Sequence, residues 1–222
     1  MEKKVLGDKI VVYSNISEDP MAIIRQAEEI TAKYPRVGFK QATINNHQYD
    51  TSLRSCTVFS LFPDKSDKSI VGIESRAEKV RLNQKIISQT SMALLDFIKE
   101  YGFTITERES WELLSYEETQ KLTWHSDNGD PHPCLVSMVY YLNDDYEGGE
   151  LYFPQHNGFE IKPKKGTMLI FSGTIDNMHG IKEVTEGTRY THVTFWSNNI
   201  SKSSKIAFDK KINRLLIDKN NK

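Results

Sequence analysis

Cysteine is scarce in this chain: Cys56 and Cys134 are the only two among 222 residues, and no framework spacing relates them. A disulfide-stapled scaffold is thereby excluded, and two isolated thiols suit a reducing compartment. Charge of one sign is also missing. Lys and Arg total 29 against 30 Asp and Glu, a formal net charge of -1, so no global field draws the chain to nucleic acid or an anionic membrane. No apolar run approaches the roughly 18 residues of a membrane span. The opening Met-Glu-Lys-Lys-Val-Leu-Gly-Asp lacks the apolar stretch of a secretory signal. The expectation is a soluble cytoplasmic protein with no membrane contact. Its length and its 38% hydrophobic content fit one well-packed domain.

Residues 9–14 are β-branched and apolar and read as a strand. Asp19-Pro20 then offers an N-cap followed by proline at the first helical position, with Ile23, Ala27 and Ile30 at helical spacing behind it. Residues 57–62 suggest a strand, and the polar, turn-rich stretch 63–69 is either a plain surface connection or a lid over an active-site mouth. A long helix is expected over 74–101, with Val80, Ile87, Leu94, Leu95 and Ile98 as its core stripe and Gly102 as its stop. After it come short candidate strands at 111–116, 122–125, 135–142, 150–153, 167–171, 179–184 and 188–196, punctuated by turn residues. Closely spaced strands without intervening helices argue for an antiparallel sandwich or jelly roll. A lysine-rich terminal helix is expected over 199–222, with Phe208, Ile212, Leu215 and Leu216 inward.

The chemistry gathers around Trp124-His125-Ser126-Asp127. Residues two apart on a strand share a face, so His125 and Asp127 point together. A second histidine, His179, completes a 2-His-1-carboxylate set that holds one face of a metal and leaves the other open, as in non-haem Fe(II) oxygenases. Zinc accepts the same ligands, but a zinc hydrolase would give Arg189, ten residues beyond His179, no task. A guanidinium there suits a carboxylate. The remaining histidines read differently. His47, His132 and His156 sit in polar or turn contexts and read as surface residues; His192, an odd number of residues from Arg189, reads as a packing residue on the opposite face.

The ordered set His125-x-Asp127, His179 and Arg189, with Tyr140-Tyr141-Leu142-Asn143 and Glu147-Gly148-Gly149-Glu150-Leu151-Tyr152-Phe153-Pro154 between, resembles the Fe(II)- and 2-oxoglutarate-dependent dioxygenases, in particular their prolyl-4-hydroxylase-like branch. The likeness is strong over 109–197. It implies a mainly β fold, a double-stranded β-helix (jelly-roll, cupin-like) core buttressed by N-terminal helices, in a single domain over 1–222. Within it, 1–108 would supply support and a substrate loop, 109–198 the core, and 199–222 the terminal helix. The resemblance further implies Fe(II) on His125, Asp127 and His179. It places 2-oxoglutarate with its distal carboxylate on Arg189, O2 as oxidant and ascorbate as an accessory reductant, the products being succinate, CO2 and a hydroxylated side chain.

In that branch a tyrosine shortly before the His-x-Asp strand and one on the strand after it bind the co-substrate. By position these are Tyr116 and one of Tyr140 or Tyr141, of which Tyr141 is favoured. Only one of that pair can face inward. Thr191 and Val193 share a face with Arg189 and should line the same pocket, while Trp124 and Trp196 are candidates for the substrate mouth. Before the motif, residues 115–121 lack the glycine-bearing turn that relatives usually carry. A peptide or protein is the expected substrate. A free amino acid or other small molecule is the alternative, and a non-catalytic binding barrel the rival outside enzymology. Nucleic-acid dealkylases carry a second arginine six residues after the co-substrate arginine; here that residue is Phe195.

Overall fold

The computed structural model describes residues 1–44, 48–62, 65–128 and 134–198. The expected helix over 199–222 lies outside them, as do His47, His132, Pro63 and Asp64. The described strands are β1 (Glu2–Gly7), β2 (Ile10–Ser14), β3 (Lys40–Gln41), β4 (Thr57–Ser60), β5 (Glu107–Arg108), β6 (Glu112–Tyr116), β7 (Leu122–His125), β8 (Cys134–Tyr141), β9 (Glu147–Gly148), β10 (Leu151–Phe153), β11 (Phe159–Ile161), β12 (Thr167–Ser172), β13 (His179–Ile181), β14 (Val184–Glu186) and β15 (Arg189–Ser197). Two α-helices, α1 (Ala22–Lys33) and α2 (Ile70–Tyr101), precede the dense β region.

The large sheet runs β1-β2-β12-β8-β15-β6-β4-β3, with β5 added to β15. Facing it is a four-stranded sheet, β11-β10-β13-β7, and a β14-β9 ribbon closes one end. Among the described residues every strand pairing is antiparallel. This is the expected jelly roll.

Period-two alternation explains how the large sheet carries two cores. On β8, Val136, Met138 and Tyr140 join the cluster that includes Ile23, Leu82 and Phe97 from the helices, whereas Val139 and Tyr141 join the cluster between the two sheets. On β12, Met168 and Ile170 face the helices, and Leu169 and Phe171 face inward. Strands covered on both faces read as near-continuous apolar runs, and these two do. The helices therefore buttress the barrel from outside and leave its interior for the site.

Several local expectations are corrected. Asp19 is not the cap of α1: Met21 occupies that position without a side-chain cap, and the Asp19 carboxylate pairs with Arg25 instead. Helix α2 begins four residues early, because Ser69 Oγ accepts from the Gly72 amide at 3.0 Å. Its buried face is Leu82, Ile86, Ala93, Leu94 and Phe97, with Asn83 and Thr90 among them. Of the expected stripe only Leu94 is fully buried. The strand expected over 179–184 divides into β13 and β14.

Candidate active site

Strand pairing delivers the candidate metal ligands. β7 ends at His125, and β13 opposes it with His179 directly across from His125, so residues 54 apart in sequence meet at one point. Asp127 follows just past the end of β7. The His125 Nε2 lies 3.2 Å from Asp127 Oδ1, and the His179 Nε2 lies 3.5 Å from Asp127 Oδ2. One ligand atom from each of the three falls within 4.8 Å of the others.

The surroundings fix which atoms face inward. His125 Nδ1 is 3.0 Å from the Thr123 carbonyl and His179 Nδ1 is 3.1 Å from the Asn177 carbonyl. An N–H donated to a carbonyl places the proton on Nδ1 and leaves Nε2 a lone pair, the tautomer that a metal requires. Burial drives the pKa of His179 below its ordinary value, so its ring is neutral. Burial would likewise raise Asp127, but His179 and His125 hold its carboxyl below the usual range. For His125, burial is outweighed by the Asp127 carboxylate, which pushes the ring up. Ser137, on β8 and fully buried, donates to Asp127 Oδ2 at 2.6 Å. Three donors with this chemistry fit a divalent metal held on one face.

Deeper in the barrel, Arg189 is completely buried. It pairs in register with Tyr116 of β6, and Thr191 pairs with Tyr141 of β8. The guanidinium carbon sits 5.4 Å from the centre of the Tyr116 ring and 5.1 Å from that of Tyr141. Arg189 Nη1 donates to Thr191 Oγ1 at 3.3 Å. Its Nε and Nη2, and the hydroxyls of Tyr116, Tyr141 and Tyr146, are buried without a hydrogen-bond partner. Orphaned buried donors are costly. Five of them gathered around one arginine fit the four lone-pair sites of a carboxylate.

Tyr146 is the member of this cradle that sequence reasoning missed. It follows the end of β8 in a connection with no periodicity to expose it. The Gly148-Gly149 pair serves the cradle as well. Gly149 adopts φ 65°, and a Cβ there would stand 3.0 Å from Arg189 Cδ.

A cavity of about 550 Å³ joins the two regions, with the triad, Arg189, Thr191 and Val193 in its wall. Tyr141 faces the cradle, while Tyr140 turns to the helices and its hydroxyl donates to Gln89 Oε1 at 3.3 Å. Trp124, 53% exposed, lies in the cavity wall as the mouth assignment required. Trp196 does not. It stands seven residues from Arg189, an odd separation, packs against the helix-side core and donates to Met138 Sδ at 3.0 Å. Phe195 reaches the cavity in its place.

The stretch 63–69, read as a surface connection or a lid, is described only from residue 65 onward. Among the described residues, the N-terminal part of the cavity wall is Thr43, Ile44, Leu53 and Arg54, while Asp67 and Ser69 tie down the start of α2. His192 packs as expected on the opposite face, 2% exposed with Nε2 at 3.3 Å from Arg108 Nη2. His156 is half-buried rather than free at the surface, its Nε2 lying 2.8 Å from Asn177 Oδ1.

Residues 111–198 match the family model of the 2OG-Fe(II) oxygenase superfamily. The chain is 44% identical over 64 residues to human prolyl 3-hydroxylase 2, covering 27% of this chain and 9% of that protein. It is 33% identical over 142 residues to the probable prolyl 4-hydroxylase 9 of Arabidopsis thaliana, covering 49% of each. It thus spans half or less of the length of these curated relatives. Among solved structures, a Trichoplax adhaerens prolyl hydroxylase in complex with a hypoxia-inducible-factor peptide superposes with a TM-score of 0.61 at 18% identity, over 90% of this chain and 86% of that one. A Pseudomonas putida prolyl-4-hydroxylase gives 0.61 at 13% identity, over 86% and 93%. Both share the fold.

Proposed function

We propose that this chain, a 2OG-Fe(II) oxygenase of the prolyl-hydroxylase-like branch through residues 111–198, hydroxylates a prolyl residue of a peptide or protein. The observation that carries this reading is the convergence, in one cavity, of an open-sided His-Asp-His set with a buried arginine whose donors lack acceptors. His125, Asp127 and His179 would hold Fe(II), and Arg189 with Tyr116, Tyr141 and Tyr146 would hold the distal carboxylate of 2-oxoglutarate. When bound, iron, co-substrate and O2 supply the oxidising power, with one oxygen atom going to the substrate C–H and the other to succinate as CO2 leaves.

The chain's own residues bind, orient and exclude water. The Nδ1 contacts of both histidines hold their rings, Ser137 holds the carboxylate, and Thr191 braces Arg189. Leu114, Val139, Leu151, Ile181 and Val193 in the cavity wall keep the space between the two polar ends apolar. The rim, with Leu53 42% and Trp124 53% exposed, offers apolar surface to the residues flanking a target side chain. Phe195, where a dealkylase would place arginine, is suited to a prolyl ring rather than a charged nucleobase partner. Ascorbate would act as reductant for enzyme that loses its metal oxidation state between turnovers.

Incubation of the protein with Fe(II), 2-oxoglutarate, O2 and prolyl peptides tests the reading by mass spectrometry. A gain of one oxygen on proline is expected, and its position on the ring follows from NMR of the product. His179→Ala should bind Fe(II) weakly and give no product while remaining folded. Arg189→Ala should raise the 2-oxoglutarate requirement about 10- to 100-fold, the usual worth of a charge-assisted bond pair, with Lys restoring part of it. Equal 2-oxoglutarate affinity in wild type and Arg189→Ala would falsify the cradle.

A further inference from the structure

Arg189, Thr191, Tyr116 and Tyr141 sit on β15, β6 and β8, strands paired on both edges, whereas Tyr146 lies on the connection between β8 and β9. No ladder sets its direction. It is buried all the same, and its hydroxyl has no partner. Lys162, the residue after β11, supplies the missing hold. Its ammonium donates to the Tyr146 carbonyl, stands 4.9 Å from the centre of the Tyr146 ring, and lies 3.0 Å from Glu147 Oε2. It touches the tyrosine at both root and ring. The Glu147 pair by itself fixes little, because that carboxylate is 71% exposed and exposed ion pairs are weak. Lys162 is firmly seated: Ile161 before it pairs with the core residue Leu151, and Pro163 after it is buried. Lys164, two residues on and exposed, lies 3.6 Å from Asp144 at the surface instead.

We propose that Lys162 is a positioning residue for the co-substrate cradle: it holds Tyr146 with its hydroxyl aimed at the distal carboxylate of 2-oxoglutarate and does not itself touch that group. The inference rests on the cradle reading above. Two glycines stand where side chains would otherwise wedge the tyrosine. A Cβ on Gly149 would lie 3.2 Å from Tyr146 Cε2 and 3.0 Å from Arg189 Cδ, and one on Gly187 would lie 3.4 Å from Tyr146 Cα. Both gaps let the ring come up beside Arg189, and neither fixes its tilt. Lys162 does. A cation is attracted to the face of a phenol ring, which sets the ring plane, while the hydrogen bond to the carbonyl sets the backbone from which the ring springs. A hydroxyl aimed before the ligand arrives leaves less ordering to be done on binding. Lys162 stands behind Tyr146 and outside the cavity wall, so its effect reaches the co-substrate through the tyrosine.

The test compares wild type, Lys162→Met, Lys162→Arg, Tyr146→Phe and the double variant Lys162→Met with Tyr146→Phe. Calorimetric titration of 2-oxoglutarate into the Fe(II)-loaded protein without oxygen reads affinity apart from turnover, and thermal melts confirm folding. Lys162→Met keeps the stem and loses the charge. It should weaken 2-oxoglutarate binding about 3- to 10-fold, the worth of a partly buried cation–ring contact, and leave Fe(II) affinity at the wild-type value. Lys162→Arg should recover most of that loss. Tyr146→Phe should weaken binding about 10-fold, as loss of a hydrogen bond to a charged group does. The double variant should be no weaker than Tyr146→Phe, because the lysine acts through the hydroxyl; a lysine that only stabilises the fold would add its own loss. If Lys162→Met does not fold, Lys162→Gln, which keeps a donor for the carbonyl, carries the same comparison. Unchanged 2-oxoglutarate binding in the folded lysine variant overturns the inference, and so do additive losses. If Tyr146→Phe and Arg189→Ala bind weakly while the lysine variant binds normally, this inference alone falls. If all three bind as wild type does, the cradle reading falls with it.

Discussion

At the residue scale, the candidate metal site depends on a side chain that is not a ligand. Asp127 carries two oxygens, one 3.2 Å from the His125 nitrogen and the other 3.5 Å from the His179 nitrogen. Ser137 donates to the second at 2.6 Å, and that bond decides how the carboxylate is turned. Behind it the Cys134 thiol, whose pKa burial pushes up to about 11, lies 3.5 Å from Ser137 Oγ and stays protonated. Ser137→Ala should therefore weaken Fe(II) binding by about 10- to 100-fold, the usual effect of removing a hydrogen bond behind a ligand, and Thr should preserve it. Competition against a metal chelator reads this without turnover; equal affinity in serine and alanine forms would remove Ser137 from the site. Residues at this scale were legible where chemistry and spacing coincide, as at His125, Asp127, His179 and Arg189. Trp196 was misplaced because strand parity, which correctly turned His192 away from Arg189, applies to it too: both lie an odd number of residues from Arg189. Tyr146 had no periodic context to reveal its direction.

At the element scale, β8 and β12 were legible as near-continuous apolar runs between two cores, and β7 and β15 as short runs of strand-forming residues between turn signals. β1 was not. Glu2, Lys3 and Lys4 make it polar, and it forms because β2 offers a free edge, with Lys3 reaching Asp96 at 2.6 Å on α2. The stripe of α2 was displaced for a related reason. Asn83 is buried because Arg108 Nη1 donates to its Oδ1 at 2.8 Å, and such a polar partner cannot be read from hydrophobicity. The turn between β6 and β7 carries no glycine, and Thr119 there adopts φ 70°. A β-branched residue in the left-handed region is strained by about 1–3 kcal/mol, tolerated because its amide donates to the Val184 carbonyl at 2.8 Å. Thr119→Gly should raise the unfolding free energy by about 1 kcal/mol once glycine's greater unfolded-state entropy is deducted. Chemical denaturation measures this, and a loss of stability would show that the threonine side chain contributes more than its backbone strain takes away.

At the scale of the whole molecule, the large sheet divides the protein into a helix-side core and a barrel interior, with a half-buried arginine on the first side and a fully buried one in the second. Arg189 serves the interior. Arg108 lies between sheet and α2, stacked 4.5 Å from the centre of the Trp111 ring and bonded to Asn83, Thr194 and His192. His192 can accept from Arg108 only as a neutral ring. Burial, with the Arg108 charge added, holds its pKa well below the ordinary value of 6.5. The unfolded chain takes up a proton near pH 6.5 and the folded chain does not, so the unfolded state binds more protons below that pH. Stability is then full above pH 6.5 and declines as the pH falls, with a slope of at most about 1.4 kcal/mol per pH unit from this residue. His179 acts in the same direction; His125, whose pKa is raised, acts in the opposite one. His192→Gln keeps an acceptor for Arg108 but cannot take up the proton, so its stability between pH 6.5 and 5 should fall less steeply than that of wild type. Melting temperatures of the metal-free protein across that range measure both slopes. Parallel curves would mean that a charged His192 is accommodated, and that the contact joining α2, β5 and β15 does not depend on a neutral ring.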